Sequence, residues 1–174
     1  MWMTPDPTAV SPEVGIGEAR ALFKSKKIRR LPVVRDGSLV GIFTLTDLQK
    51  LLFDEPGKIP PERLKNVTVA EIMTPSPITV SPGDPIDKAV LLMHQHRISA
   101  LPVVDDGALV GIITETDLFK VFAKILGTHA HATRITLEVE SQVSGFQGIL
   151  DLCVQYGIDL LTVLTLHPYN EGKS

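Results

Sequence analysis

Gly41-Ile42-Phe43-Thr44-Leu45-Thr46-Asp47-Leu48 returns as Gly111-Ile112-Ile113-Thr114-Glu115-Thr116-Asp117-Leu118, at an offset of 70 residues. Outward from this stretch the offset does not change. Met3-Thr4-Pro5-Asp6-Pro7 returns as Met73-Thr74-Pro75-Ser76-Pro77, and Leu31-Pro32-Val33-Val34 as Leu101-Pro102-Val103-Val104, with no insertion or deletion between. The chain is an internal duplication. Two copies this similar are expected to fold alike and to pack across a pseudo-twofold axis, with the ligand cleft on that axis.

Each copy reads as strand, helix, strand, strand, helix. Val10 and Val80 close short extended stretches, because the residue before a proline is pushed out of the helical region and Ser11-Pro12 and Ser81-Pro82 follow. In the second copy Ile86, Ala89, Val90 and Met93 recur at the spacing of one helical stripe, with Asp84 as the expected N-cap and Pro85 at the first helical position. The first copy has Val14 and Gly15 there, which predicts a weaker helix start. Next, two β-branched runs joined through Asp36-Gly37, and again through Asp106-Gly107, predict tight hairpins, since glycine accepts the positive φ of such turns. Thr46 and Thr116 then stand where a helix N-cap is wanted, with Asp47 and Asp117 in the first turn beside unpaired amide N–H groups. Leu118, Val121, Phe122 and Ile125 form an expected buried stripe that Gly127 would end.

Pro56, Gly57, Pro60 and Pro61 mark a linker over residues 54–69. Beyond the second copy, residues 133–140 alternate as a strand through Ile135, Leu137 and Val139. Ser144 can cap a helix carrying Phe146, Ile149, Leu150 and Val154, and Gly157 would end it. Residues 158–166 read as a second strand. Such a β-α-β unit is too small to bury both faces of a sheet and must dock, on its own chain or on a second subunit. The expected class is α/β: a first repeat over residues 1–53, the linker, a second repeat over 70–127, and the β-α-β unit over 133–168.

With 174 residues and 44% hydrophobic content the chain can build a conventional core. A net charge of -3 and the lack of a dense basic block argue against sequence-independent nucleic-acid binding. Lys24, Lys26, Lys27, Arg29 and Arg30 are the local exception, readable as a solvated helix end or as a site for ligand phosphates. Cys153, with no second cysteine, forms no internal disulfide and falls in an apolar pattern that predicts a buried thiol. No apolar run approaches the roughly 18 residues that span a bilayer, and no signal-type segment precedes Pro5-Asp6-Pro7, so the cytoplasm is the expected compartment and no membrane partner is expected.

The duplicated motif carries the chemistry. A strand ends, threonine hydroxyls follow, and a carboxylate sits at the mouth of a helix. A carboxylate accepts hydrogen bonds from both hydroxyls of a ribose, while a threonine hydroxyl and free helix amides donate to phosphate. The same residues can equally serve only to cap the helix. Catalysis has less support: His94 and His96 lie two apart on a helix and face different sides, His129 and His131 fall in an extended connection, and the sequence holds no nucleophile beside a base, no Walker-type loop and no paired cysteine motif. No enzyme activity, metal or cofactor is expected.

The doubled pattern of Met-Thr-Pro, a helix, Leu-Pro-Val-Val, Asp-Gly, Leu-Val-Gly-Ile and Thr-x-x-Asp-Leu resembles the cystathionine-β-synthase-type (CBS) domain, and two in tandem resemble a Bateman module. That resemblance implies a β-α-β-β-α fold for each half, a pseudo-symmetric and commonly dimeric unit, and binding of an adenosine-containing metabolite (AMP, ATP or S-adenosylmethionine) in the clefts, with the result passed to a regulated protein the sequence does not identify. Carried over by position, Asp47 and Asp117 match the ribose-binding aspartate and Thr44 and Thr114 the phosphate-side threonine. Thr8, Ala9 and Val10, and Ile78, Thr79 and Val80, match the adenine-side backbone. The wall before the Leu-Pro-Val-Val strand matches Ile28, Arg29, Arg30, Leu31 and Pro32, and Arg97, Ile98, Ser99, Ala100, Leu101 and Pro102. Many relatives carry arginine just before the aspartate, where this chain has Thr46 and Thr116; Arg97, Lys27, Arg29 or Arg30 can supply charge instead, which favours AMP or an S-adenosyl ligand at least as much as ATP. The C-terminal unit is similar to the first half of an ACT domain. It implies a dimerisation or docking element, or else an amino-acid sensor; the third alternative is a purely structural pairing module without ligand. The CBS pair with an ACT-like tail resembles acetoin-utilisation-type regulatory proteins.

Overall fold

The computed structural model describes residues 2–53, 66–126, 133–138 and 142–164. Two compact units are formed, Met1–Phe119 and Lys120–Ser174. The first copy supplies β1 (Thr4–Pro5), α1 (Ile16–Lys26), β2 (Arg30–Arg35), β3 (Ser38–Thr44) and α2 (Leu45–Phe53). The second supplies β4 (Thr74–Pro75), α3 (Ile86–His96), β5 (Ala100–Asp105), β6 (Ala108–Thr114) and α4 (Glu115–Ile125).

Both expected hairpins are present. Strand β2 pairs antiparallel with β3 from Arg30↔Thr44 to Arg35↔Ser38, and β5 with β6 from Ala100↔Thr114 to Asp105↔Ala108. The turns have φ of 50° and 80° at Asp36 and Gly37, and 45° and 84° at Asp106 and Gly107, the two successive positive values of a type I′ turn. A register shift between Val33 and Val34, repeated between Val103 and Val104, puts the same irregularity in each hairpin.

The first strand of each copy divides in two, which the sequence reading did not anticipate. Val10 makes a parallel bridge to Val33 and Val80 one to Val103, each within its own copy. The Met-Thr-Pro part crosses over: β1 pairs with β6 (Thr4↔Ile112, Pro5↔Gly111), and β4 pairs with β3 (Ile42↔Thr74, Gly41↔Pro75). Each copy thus lends a strand to the other's hairpin, and the hairpins themselves meet at Ser38↔Ala108 to give one six-stranded sheet. Pro5 and Pro75 lack an N–H, which confines them to the short flanking strands they occupy.

Two cores result. In the first copy Ile16, Ala19 and Phe23 of α1 pack with Leu31, Val33, Phe43 and Leu48, and the Phe23 and Phe43 rings lie 5.4 Å apart. In the second, Val80, Ala89, Met93, Leu101, Val103, Ile113 and Leu118 are gathered, with Met3 of the first copy packed against them. The residues just before Met73, read as the end of a linker, belong to the first core: Val67 and Val69 are buried there. The Ile16 N–H donates to the Val67 carbonyl at 3.1 Å, and the Val69 and Ala70 N–H groups donate to the carbonyls of Val14 and Pro12 at 2.8 and 2.9 Å. A 3₁₀ turn over Val69–Glu71 follows, closed by a capping box in which the Thr68 N–H donates to the Glu71 carboxylate at 2.9 Å.

This segment accounts for how α1 begins without a side-chain cap. Gly15 is its N-cap and makes no side-chain bond, but the added strand supplies an acceptor to the exposed donor of the first turn. No such cover of helix α3 is present among the described residues, and its N-cap is Pro85 rather than the expected Asp84. The Asp84 carboxylate instead accepts from the Ser81 N–H and from Lys88 Nζ, both at 2.8 Å. On α4, Leu118 and Val121 are buried as expected while Phe122 and Ile125 are exposed, so only half of that stripe faces a core.

In the second unit the structure shows the helix of the expected β-α-β arrangement, α5 (Gln142–Tyr156). It begins two residues ahead of Ser144, which lies inside it rather than capping it. Gly157, at φ 63°, ends the helix as expected, and the Ile158 N–H reaches back to the Cys153 carbonyl at 2.8 Å. Residues 133–138 and 158–164 are not strands, contrary to expectation: among the described residues neither has a ladder partner, and a strand exists only by pairing. Cys153 is half-buried rather than buried, and lines an open hollow of about 360 Å³ with Leu150, Val154, Gly157, Ile158, Asp159 and Leu160. Gly127, His129, His131, Val139 and most of the expected linker lie outside the described residues. No helix among the described residues is long and apolar enough to cross a membrane.

Candidate functional site

The carboxylates stand where strand turns into helix, in both copies and with the same bonds. The Thr44 N–H and the Thr44 hydroxyl donate to Asp47 Oδ2 at 2.9 and 2.7 Å, and the Asp47 N–H donates back to Thr44 Oγ1 at 3.2 Å. In the second copy the distances are 3.1, 2.6 and 3.3 Å, from Thr114 to Asp117 and back. This reciprocal pattern is a capping box, with the threonine as N-cap and the aspartate three residues on. Thr44 and Thr114 therefore cap α2 and α4; Thr46 and Thr116, expected in that role, lie exposed in the first turn. Among the described residues the Asp47 carboxylate accepts through Oδ2, from the Thr44 N–H and hydroxyl.

The wall segments close onto these boxes. The Leu45 N–H donates to the Arg29 carbonyl at 2.9 Å and the Glu115 N–H to the Ser99 carbonyl at 3.2 Å, fastening the residues before β2 and β5 to the start of each carboxylate-bearing helix. The adenine-side backbone sits one strand away. The Val10 N–H donates to the Pro32 carbonyl and the Val34 N–H to the Val10 carbonyl, at 3.0 and 2.9 Å; Val80, Pro102 and Val104 repeat this at 3.1 and 2.9 Å.

The expected site residues differ in what they can offer. Leu31, Leu101, Pro32 and Pro102 are wholly buried, and Val10 and Val80 nearly so, which leaves their backbone as the part that could meet a ligand. Ile28, Ile98 and Ile78 are half-buried against the two cores, and Ala100 is buried. Ala9, Thr79, Arg29 and Arg97 are exposed, Arg97 as the left-handed C-cap of α3 at φ 52°, as Lys27 is of α1 at φ 54°. Asp117 is 9% exposed and Asp47 is half-buried, so the two boxes are not in equal surroundings. A hollow of about 310 Å³ in this unit is lined by Asp6, Pro7, Ala9, Val34, Gly37, Ala108 and Leu109. It lies toward the hairpin tips and includes Ala9 but neither aspartate.

One contact crosses between the copies at the wall. Arg30 Nη2 donates to Ser99 Oγ at 2.5 Å. Burial lowers the Arg30 guanidinium below its ordinary pKa, Glu115 and Asp117 act in the opposite sense, and Arg29 adds repulsion. Sequence position alone did not show that Arg30 of the first copy lies within electrostatic reach of Glu115 and Asp117 of the second.

The family model of the CBS domain matches residues 1–54 and 69–124. The chain belongs to the CBS-domain family. A solved structure of CBSX2 in complex with AMP is 33% identical, with a TM-score of 0.63 over 72% of this chain and 95% of that one. The CBS domain pair of protein MJ0100, in complex with 5′-methylthioadenosine and S-adenosyl-L-methionine, is 31% identical, with a TM-score of 0.60 over 70% of this chain and 95% of that one. Among whole sequences, the inosine-5′-monophosphate dehydrogenase of Thermoplasma acidophilum is 34% identical over 96% of this chain. This CBS chain spans about a third of that relative's length, 32%. The solved neighbours match the paired repeats, and the ACT-like reading of the tail gains no support from them.

Proposed function

We propose that this CBS pair is a regulatory ligand-sensing module that binds an adenosine-containing metabolite at the Thr44/Asp47 and Thr114/Asp117 boxes, and that occupancy is passed to a partner protein. The observation that supports it most is the duplicated box: a carboxylate held at a helix mouth, its Oδ2 spent on the threonine and, at Asp47, its Oδ1 left for a ribose hydroxyl. The AMP, 5′-methylthioadenosine and S-adenosylmethionine found in the two solved neighbours support the same ligand class. AMP or an S-adenosyl compound suits the site at least as well as ATP, since threonine rather than arginine precedes each aspartate. The reading is of a non-catalytic, cytoplasmic protein acting as a homodimer, in which the C-terminal unit docks rather than senses.

The test is a thermal-shift screen of AMP, ATP and S-adenosylmethionine on the full chain. Ligand at about 100 times its Kd adds roughly 2.7 kcal/mol per independent site, so a millimolar ligand with a Kd of about 10 μM raises Tm by several degrees. No shift with any of the three leaves the second reading, a structural pairing module. That reading has its own support, because the capping boxes are complete without a ligand. An amino-acid response lost on truncation after residue 127 would move the sensing role to the tail.

A further inference from the structure

The two halves repeat each other closely, yet one charged contact between them has no counterpart. Arg30, half-buried, reaches from the start of β2 to the Ser99 hydroxyl of the other copy. The carboxylates acting on it are Glu115 and Asp117, both from the second copy, and not Asp47 of its own. At the equivalent positions Arg30 becomes Ala100, Ser99 becomes Arg29, and Glu115 becomes Leu45. A methyl group cannot span the axis, so Ala100 makes no such contact toward Asp47. The pseudo-symmetry is broken at the point where the proposed clefts meet.

We infer that the Arg30–Ser99 contact is a latch between the repeats, which a ligand carrying phosphate or carboxylate takes apart on entering the Asp117 cleft, and that the two clefts are therefore unequal. The inference rests on the ligand reading above and adds which cleft discriminates by charge. The exchange is favourable because a charged acceptor makes a stronger bond to guanidinium than a neutral hydroxyl does, and more so for a group partly withdrawn from water. An uncharged nucleoside offers Arg30 nothing better than Ser99. It leaves the latch closed.

The test is calorimetric titration of the full chain with AMP and with 5′-methylthioadenosine, which keeps the nucleoside and lacks the phosphate. Ser99→Ala removes the competing acceptor while leaving Arg30 in place, and the second copy already carries alanine beside it at Ala100. AMP affinity at one site should then rise about three- to tenfold relative to that for 5′-methylthioadenosine. Arg30→Gln should weaken AMP at that site by about tenfold or more relative to 5′-methylthioadenosine. An AMP affinity that Ser99→Ala leaves alone, or an equal change for both ligands, overturns the latch while the ligand reading stands. Failure of the wild type to bind either nucleoside overturns both.

Discussion

The Met73 sulfur occupies the space that a side chain on Gly41 would need: a Cβ at Gly41 would clash with Met73 Sδ. The relation is repeated between Gly111 and Met3, so the strand that each copy lends to the other is seated by a methionine on a bare glycine. Glycine in a strand interior ordinarily costs stability, and its presence at Gly41, paired with Pro75, is accounted for by this close approach.

Gly41→Ala should therefore destabilise the protein by about 1–2 kcal/mol, overpacking outweighing the smaller gain expected of alanine in a strand. The sign should reverse in a Met73→Ala background, where the space is empty. Denaturant unfolding of the four proteins of this cycle measures it; a Gly41→Ala cost that persists without the Met73 side chain would locate the strain elsewhere.

The segment around Val69 offers a second measurement. Val69 is 0% exposed and its N–H is bonded to the Val14 carbonyl, although it precedes the second copy in sequence. Val69→Ala should cost about 2 kcal/mol, two methyl groups of burial plus some unfilled space. Pro82→Ala, at the uncovered equivalent of buried Pro12, should cost much less. Similar losses at both positions would mean the cover does not stabilise α1 as its hydrogen bonds imply.

What could be read from the residues was whatever is local or periodic. Asp36-Gly37 and Asp106-Gly107 can form few turns other than the one observed, and the constant offset obliges the copies to share a fold. Which copy's β-edge receives Met3-Thr4-Pro5 is not written in any window of sequence, because Gly41 and Gly111 are identical in type and both could accept either methionine. The capping boxes were half legible. Thr-Leu-Thr-Asp offers two threonines as caps, and the choice of Thr44 over Thr46 depends on the helix starting two residues earlier than the pattern suggests. The Arg30–Ser99 contact was invisible, since it joins residues 69 apart that only the pseudo-twofold brings together. The tail misled for another reason: alternation at Ile135 and Leu137 gives one face of a strand, but the partner that makes it a strand is not among the described residues.

Asp84 gives a pH signature. Its pKa is lowered, first by the hydrogen bond from Lys88 and then by the Ser81 N–H. A carboxylate with a depressed folded-state pKa contributes stability above its ordinary value of 3.8 and loses it as pH falls through the lowered one. Asp84→Asn should melt below the wild type at neutral pH and converge with it in acid. The difference should be small and should shrink with salt, as the Asp84–Lys88 pair lies at the surface. A gap that widens toward low pH would contradict the assignment.

The ligand role of Asp47 has to be separated from its role in the fold, and the capping box says how. Asp47→Ala removes the acceptor for both the Thr44 N–H and hydroxyl, and loss of such a cap costs about 1 kcal/mol. A lost thermal shift in that variant therefore mixes two effects. Asp47→Asn keeps a carbonyl oxygen able to accept from Thr44, so α2 should stay capped at less cost, while the charge that makes the carboxylate a strong acceptor for a ribose diol is gone. If Asp47 binds ligand, Asn and Ala should lower the AMP affinity of that cleft by a similar factor although their stabilities differ. If Asn retains wild-type affinity and only Ala loses it, Asp47 acts on the ligand solely by holding the end of β3 against α2.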